Sequence, residues 1–230
     1  MVYKSPIDDF KYNLEMLEYN SFANSIDLFK DYDTETVISV VEQVAKFNEQ
    51  EMVESNKKAD REGLVYVKDG EEGPEVKTPD YFKPLYKSVV DSGYIGACNP
   101  TEYGGGGAPF AMAMLNGEVG IAANMAFYMG PGLSQGAIKA ILKKASKELK
   151  DKYLPKMIAG EWMGTMCLTE SQCGTDLGLI RTTATPEEDY FKLNGQKIWI
   201  SFGEHDLTEN IIHLVLAVSY THLRAHETLS

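Results

Sequence analysis

Two stretches of this chain bring together residue types able to handle a polar ring or an anion. TESQCGTDLG (Thr169 to Gly178) sets hydroxyls, carboxylates and glycines directly after a short apolar run. Backbone N–H groups and hydroxyls can there converge on a polar ring or a phosphate, although an ordinary loop has the same composition. KIWISFG (Lys197 to Gly203) reads as a strand, and alternation puts Trp199 and Ser201 on one face. An indole beside a hydroxyl suits a flat heteroaromatic cofactor, although a half-buried core Trp is the commoner case. YGGGGAP (Tyr103 to Pro109) lacks the Lys-Ser/Thr of a phosphate loop and follows no strand, so it reads as a turn between helices. His222 and His226 stand one helical turn apart, but two histidines are half a ligand set.

The elements that must position these residues change character along the chain. Ser25 to Glu54 carries Ile26, Leu28, Phe29, Val37, Val40, Val41, Val44 and Phe47 at helical spacing. VKDGEEGPEVKTPD (Val67 to Asp80) is rich in Gly, Pro and charge and predicts a loop or short hairpin. A helix follows, with Thr78 as N-cap, Pro79 at its first position and an end near Gly93. Pro109 to Met129 is nearly continuous in small and apolar residues. Asn116, Glu118 and Asn124 interrupt it, which excludes a membrane span and favours a buried helix or helix pair. Ser134 to Trp162 alternates apolar residues with lysines, as an amphipathic helix or pair does. After Trp162 the runs MGTMCLTE, TTATPEEDYFKLNG, KIWISFG and NIIHLVLAV favour strands. Helices leading into strands near residue 160 predict an α+β chain, an α domain followed by a β domain.

Composition narrows the function classes. The formal net charge of -12 argues against nucleic acid, which calls for basic surface. Cys98, Cys167 and Cys173 are odd in number and widely spaced, neither a disulfide scaffold nor a zinc pattern, which suits a reducing cytoplasm. The opening MVYKSPIDDFKYNL has no apolar core of a signal peptide and no Arg-rich transit pattern.

NPTEYGGGG, GEWMGTMCLTESQCGTDLG and LNGQKIWISFG follow one another in an order and spacing that resemble the acyl-CoA dehydrogenase family. YKSPIDDFKYNL, DREG at Asp60 to Gly63, NMAFYMGPGLSQGAI and GEHDLTENIIHLVLA resemble its longer subfamily, which includes methylthiopropanoyl-CoA dehydrogenases. The resemblance spans residues 1–217. It implies an N-terminal helical domain over 1–160 and part of a central antiparallel β domain over 161–217. It also implies FAD as cofactor and oxidation of an acyl-CoA to its trans-2-enoyl-CoA, with a proton leaving Cα and a hydride passing from Cβ to flavin N5. Residue by residue, Met166, Cys167, Leu168, Thr169, Gly174 and Thr175 fall in the first flavin-contact segment. Leu168 and Thr169 correspond to positions at the pyrimidine side of the ring, and Thr175 to one near the phosphates and the CoA. Trp199, Ile200 and Ser201 form the second segment, with Trp199 beside the ring and Ser201 near N5. Ser171, Gln172 and Cys173 depart from the usual Pro, Gly and Ala, which alters that loop's path. Tyr128, Met129 and Leu133 become candidates for the acyl mouth.

The resemblance places the catalytic carboxylate and a C-terminal helical bundle beyond these residues, so no carboxylate here is named as the base and the chain alone is expected to be inactive. It further implies electron-transfer flavoprotein as acceptor and a homo-oligomer. An acyl-CoA oxidase on the same scaffold is a second reading, and a non-catalytic binding or interaction domain a third. Val218 to Thr228 resembles the translated end of a transposon-type sequencing adapter, so residues 218–230 are expected to be a non-native tail.

Overall fold

The computed structural model describes residues 3–70 and 73–219; His222 and His226 lie outside them. Helices α1 (Ile7–Met16) and α2 (Tyr19–Asn24) precede α3 (Thr34–Phe47). The periodicity from Ser25 overstates α3 by nine residues. Ser25 to Tyr32 instead folds through successive tight turns, including Phe29 N to Ile26 O and Tyr32 N to Phe29 O. The helix starts where Asp33 accepts the Thr36 N–H at 2.8 Å, a capping bond that apolar spacing does not report. From Phe47 the chain continues through a π-helical turn, Asn48–Met52, into α4 (Val53–Glu62), which stops at left-handed Gly63.

The Gly/Pro-rich stretch forms an antiparallel hairpin, β1 (Val65–Gly70) and β2 (Gly73–Lys77), inside the otherwise helical part. Helix α5 (Phe82–Asp91) follows, buries Phe82, Leu85, Tyr86 and Val89, and ends before left-handed Gly93. Thr78 is not its cap. Both the amide and the hydroxyl of Thr78 donate to Asp206, so the helix begins after a turn closed by Phe82 N to Pro79 O.

α6 (Phe110–Lys144) is two limbs rather than one rod. Asn124 has φ -155° and ψ 87°, and its Oδ1 accepts the Phe127 N–H at 3.0 Å, so it caps the second limb. A straight helix would separate positions 110 and 139 by about 40 Å. Here the Lys139 ammonium lies 4.0 Å from the Phe110 ring centre, so the limbs fold back on each other. Asn124 also donates to Ser55 Oγ at 2.8 Å, tying the break to α4. α7 (Lys147–Ile158) is capped by Ser146, which accepts from Leu149 N.

β3 (Trp162–Cys167) lies against the second limb and pairs in parallel with β6 (Asn210–Val215). β4 (Thr183–Pro186) and β5 (Phe191–Asn194) form the antiparallel pair, so the expected all-antiparallel sheet holds only for these two. KIWISFG is not a strand. Val218 bonds to Thr182 and Ala184 beside β4. No helix among the described residues is long and apolar enough to cross a membrane.

The contact of helix with strand is tight enough to need Gly164. A Cβ there would come within 2.6 Å of Ala137 Cβ. Buried Ser134 bridges the same contact, accepting from Gly164 N and donating to Gly130 O, each at 3.0 Å. Ser134→Ala leaves the Gly164 N–H without its acceptor, and urea unfolding should show a loss of about 1–3 kcal/mol. Gly136→Ala, two residues along, meets nothing within 4 Å. It should stabilise the helix by about 0.5–1 kcal/mol in the same experiment.

Candidate functional site

The loop after β3 is organised by Glu170. Its carboxylate is 4% exposed and lies 2.8 Å from the Lys197 ammonium, itself 9% exposed. Glu170 also accepts from Arg181 N at 2.9 Å, Thr182 N at 3.0 Å and Gln172 Nε2 at 2.6 Å. The Lys197 contact foremost, then Thr182 and the Arg181 amide, hold its carboxyl well below the usual range.

The same lysine fastens the two segments expected to meet a cofactor to each other. Lys197 Nζ donates to Leu168 O at 2.8 Å, and Ile198 N to Thr169 O at 2.9 Å. Both carbonyls are thereby consumed. The amides of Leu168 and Thr169 and the Thr169 hydroxyl have no protein acceptor among the described residues, and so remain as donors. Gly174 passes close to Thr169, where a Cβ would stand 3.5 Å from Cγ2.

Beyond Ile198 the chain turns sharply. Trp199 has φ 56° and Phe202 φ 54°, left-handed conformations that disfavour side-chain-bearing residues. The turn replaces the expected strand because its two ends are fixed to different bodies. Lys197 and Ile198 are held by the β3 loop, while Phe202 lies over Gly130 of α6, where a Cβ would meet its ring at 2.7 Å. Trp199 is left 87% exposed. Ser201 is exposed too, but not on a shared strand face: it lines a cleft of about 410 Å³ with Met129, Phe202, His205, Asp60 and Glu204.

Residues 34–161, more than half of the chain, match the family of the acyl-CoA dehydrogenase N-terminal domain. The chain belongs to the acyl-CoA dehydrogenase family. It is 35% identical over 218 residues to 3-methylmercaptopropionyl-CoA dehydrogenase of Ruegeria pomeroyi, covering 94% of this chain and 36% of that protein. It is 36% identical over 209 residues to a butyryl-CoA dehydrogenase of Syntrophomonas wolfei, covering 88% and 33%. The chain thus spans about a third of the length of these relatives. Among solved structures, it resembles an acyl-CoA dehydrogenase of Bacillus anthracis complexed with FAD. The TM-score is 0.64 and the identity 25%, over 83% of this chain and 29% of that one.

Within this acyl-CoA dehydrogenase chain the structure separates residues that the sequence grouped. Met129 and Ser201 share the cleft, whereas Tyr128 is buried with its ring against Gly120, and Leu133 is half-buried and outside the cleft lining. Met166 and Thr175 are exposed, and Ile200 is half-buried in the turn. Cys167 is buried beneath the loop, its sulfur 3.7 Å from His213 Nδ1, which is 2.6 Å from Thr165 Oγ1. Burial pushes the Cys98 thiol up to about 11, which removes it as a nucleophile. Sequence reading missed Glu170, Lys197, Asp206 and the Phe202–Gly130 contact. A Glu and a Lys among apolar and glycine-rich neighbours were the available signal for the first two.

Two groups beside the cleft titrate abnormally. Burial lowers His205 to about 4, against the opposing pull of Asp206. Burial raises Asp206, but Lys83 at 2.8 Å and the Thr78 amide and hydroxyl outweigh it and bring the carboxyl to about 2. Both folded values lie below the model-peptide values of 6.5 and 3.8. In each window the unfolded chain binds more protons, so stability is lost as pH is lowered, first between 6.5 and about 4 through His205, then between 3.8 and about 2 through Asp206. The urea midpoint measured against pH should show both steps. His205→Asn, whose amide oxygen can still take the Leu207 N–H, should flatten the upper one, and Asp206→Asn the lower.

Proposed function

We propose that this chain is the flavin-facing part of an enzyme that converts an acyl-CoA thioester to its trans-2-enoyl-CoA. The observation that carries the reading is Trp199, an indole exposed on a strained turn whose preceding residue, Ile198, bonds to Thr169, in the loop that leaves the Leu168 and Thr169 amides without a protein acceptor among the described residues. An exposed aromatic side chain on a segment tied to a loop with free N–H donors fits a flat ring with acceptors along one edge, as the isoalloxazine of FAD has. When bound, FAD supplies the hydride acceptor.

In this reading the Leu168 and Thr169 amides and the Thr169 hydroxyl bind the pyrimidine edge, and Trp199 covers one face and excludes water. Ser201 presents its hydroxyl toward N5 at the cleft shared with Met129. Gly174 lets the backbone approach closely, and Thr175 carries the loop toward the phosphates and the CoA. Glu170 and Asp206 are poor candidates for the base that takes the Cα proton, because both are held ionised by several donors. We assign that role to no carboxylate described. Residues 1–160 then serve as the helical domain and residues 161–217 as part of the β domain. Butyryl-CoA and 3-methylmercaptopropionyl-CoA, the substrates named for the relatives, are the first acyl groups to consider. Electron-transfer flavoprotein is the acceptor and a homo-oligomer the assembly. The cytoplasm, which would keep Cys98, Cys167 and Cys173 free, is the setting.

The deciding measurement uses the full-length gene product under anaerobic conditions. Its flavin band should bleach when butyryl-CoA or 3-methylmercaptopropionyl-CoA is added. A yellow protein that no acyl-CoA bleaches overturns the reaction, and a colourless one overturns the cofactor. Trp199→Ala in the same protein should weaken FAD binding by about twofold to tenfold, the worth of one aromatic stacking contact.

A further inference from the structure

The charges of this chain are sorted along it. Residues 139–156, the end of α6 and most of α7, hold seven lysines and two acidic residues, whereas residues 8–35 hold eight acidic residues and two lysines, in a chain of formal net charge -12. All of these side chains are exposed except half-buried Lys150. Of the seven lysines only Lys147 has carboxylate partners among the described residues, Glu102 and Asp151, and of the eight acidic residues only Asp27 has a cation, Lys30. No ion pair joins the two stretches. They also pack into different cores, α1 and α2 with α3, and α7 with the second limb of α6.

Each stretch turns one helix face outward. On α7, Leu149, Lys152 and Lys156 recur at the spacing of a single face, opposite buried Leu154, Met157 and Ile158. The Lys152 ammonium lies 5.3 Å from the Tyr153 ring centre and that of Lys156 4.5 Å from the Trp162 ring, and the two rings are 6.3 Å apart, so both cations sit on one aromatic shelf. On α1, Asp8, Tyr12, Glu15 and Met16 share a face opposite buried Phe10 and Leu14, with Tyr12 and Met16 61% and 64% exposed. The two faces match in order as well as in sign. Set antiparallel with Met16 opposite Leu149, they bring Tyr12 and Glu15 beside Lys152 and Asp8 opposite Lys156. We propose that the lysine face of α7 is an interaction surface for a second copy of this chain, which presents to it the acidic and apolar face of α1. Opposite charge steers the encounter, and burial of Tyr12, Met16 and Leu149 holds it. A chain this acidic repels its own copies elsewhere, which confines the contact to the stretches of opposite sign. The contact does not depend on the flavin reading.

Sedimentation velocity of the 230-residue chain over a concentration series tests it. Self-association should appear at about 50 mM NaCl and weaken about tenfold or more at about 500 mM, where the Debye length falls to about 4 Å. Lys152→Glu combined with Lys156→Glu should abolish it, and so should Asp8→Lys combined with Glu15→Lys. An equimolar mixture of the two reversed proteins should associate again, because each then meets a face of opposite sign. A monomer at both salt concentrations, association that salt leaves unchanged, or a mixture that stays monomeric overturns the proposal. Capture of a monomeric chain by vesicles of anionic phospholipid, lost on reversal of Lys152 and Lys156, also overturns it, since the lysines then serve a membrane.

Discussion

A carboxylate removed from water is stable only if other groups replace its hydration, and Glu170 obtains that replacement from four donors on three separate stretches of chain. The arrangement does more than neutralise a charge. Lys197 arrives from 27 residues downstream and divides its protons between Glu170 and the Leu168 carbonyl. The segment it belongs to therefore cannot move independently of the loop after β3. Without that pair, the loop would lose the bonds that close it at Arg181 and Thr182, and the Trp199 turn would lose its upstream anchor. The favourable Coulomb term is partly spent on desolvating both ions, so the value of the pair lies in the geometry it enforces more than in net stability.

The second anchor is helical. The break at Asn124 allows one sequence of 35 residues to contribute to three cores: Met112 and Val119 pack with α1 and α3, Phe127 and Tyr128 with α5, and Ile138 and Ile141 with α7. Its second limb then meets β3 through Gly164 and Ser134, and receives Phe202 at Gly130. Met129 and Ser201 come to line one cleft because the residues that follow them, Gly130 and Phe202, dock on each other. The position of the cleft therefore follows from a helix break whose cap is a single asparagine, bonded in turn to Ser55 on α4.

Much of this was legible in the residues. The change from helices to strands near Trp162, the hairpin in the Gly/Pro-rich stretch, the rejection of a membrane span and the turn character of YGGGG all follow from local composition, and local composition is what periodicity measures. The features that local reading missed depend on distant partners. Thr78 looks like a cap until Asp206, 128 residues away, takes both of its donors. KIWISFG has the β-branched and aromatic content of a strand, yet its two ends answer to Glu170's loop and to α6. Ser25 to Tyr32 has the spacing of a helix but lies ahead of Asp33, whose side chain fixes where the helix begins. Tyr128 and Met129 are neighbours in sequence, yet adjacent helical residues point about 100° apart, so Met129 lines the cleft with Ser201 while Tyr128 packs inside the fold-back of α6.

Two non-glycine residues within four positions adopt left-handed backbone, and each such conformation costs of order 1 kcal/mol or more. That cost persists only where the surroundings over-determine the path. Here they do, because the bond from Ile198 to Thr169 and the docking of Phe202 onto Gly130 leave three residues to span the gap. A relaxed strand across the same gap would alternate Trp199 inward or outward according to what it could bury. The constrained turn turns it outward whether or not anything covers it, so the exposure of the indole is a consequence of anchoring rather than a failure of packing. Preorganisation of this kind suits a flat partner: the turn that carries the indole and the loop it is bonded to are set before binding, and little conformational entropy remains to be lost when the partner arrives.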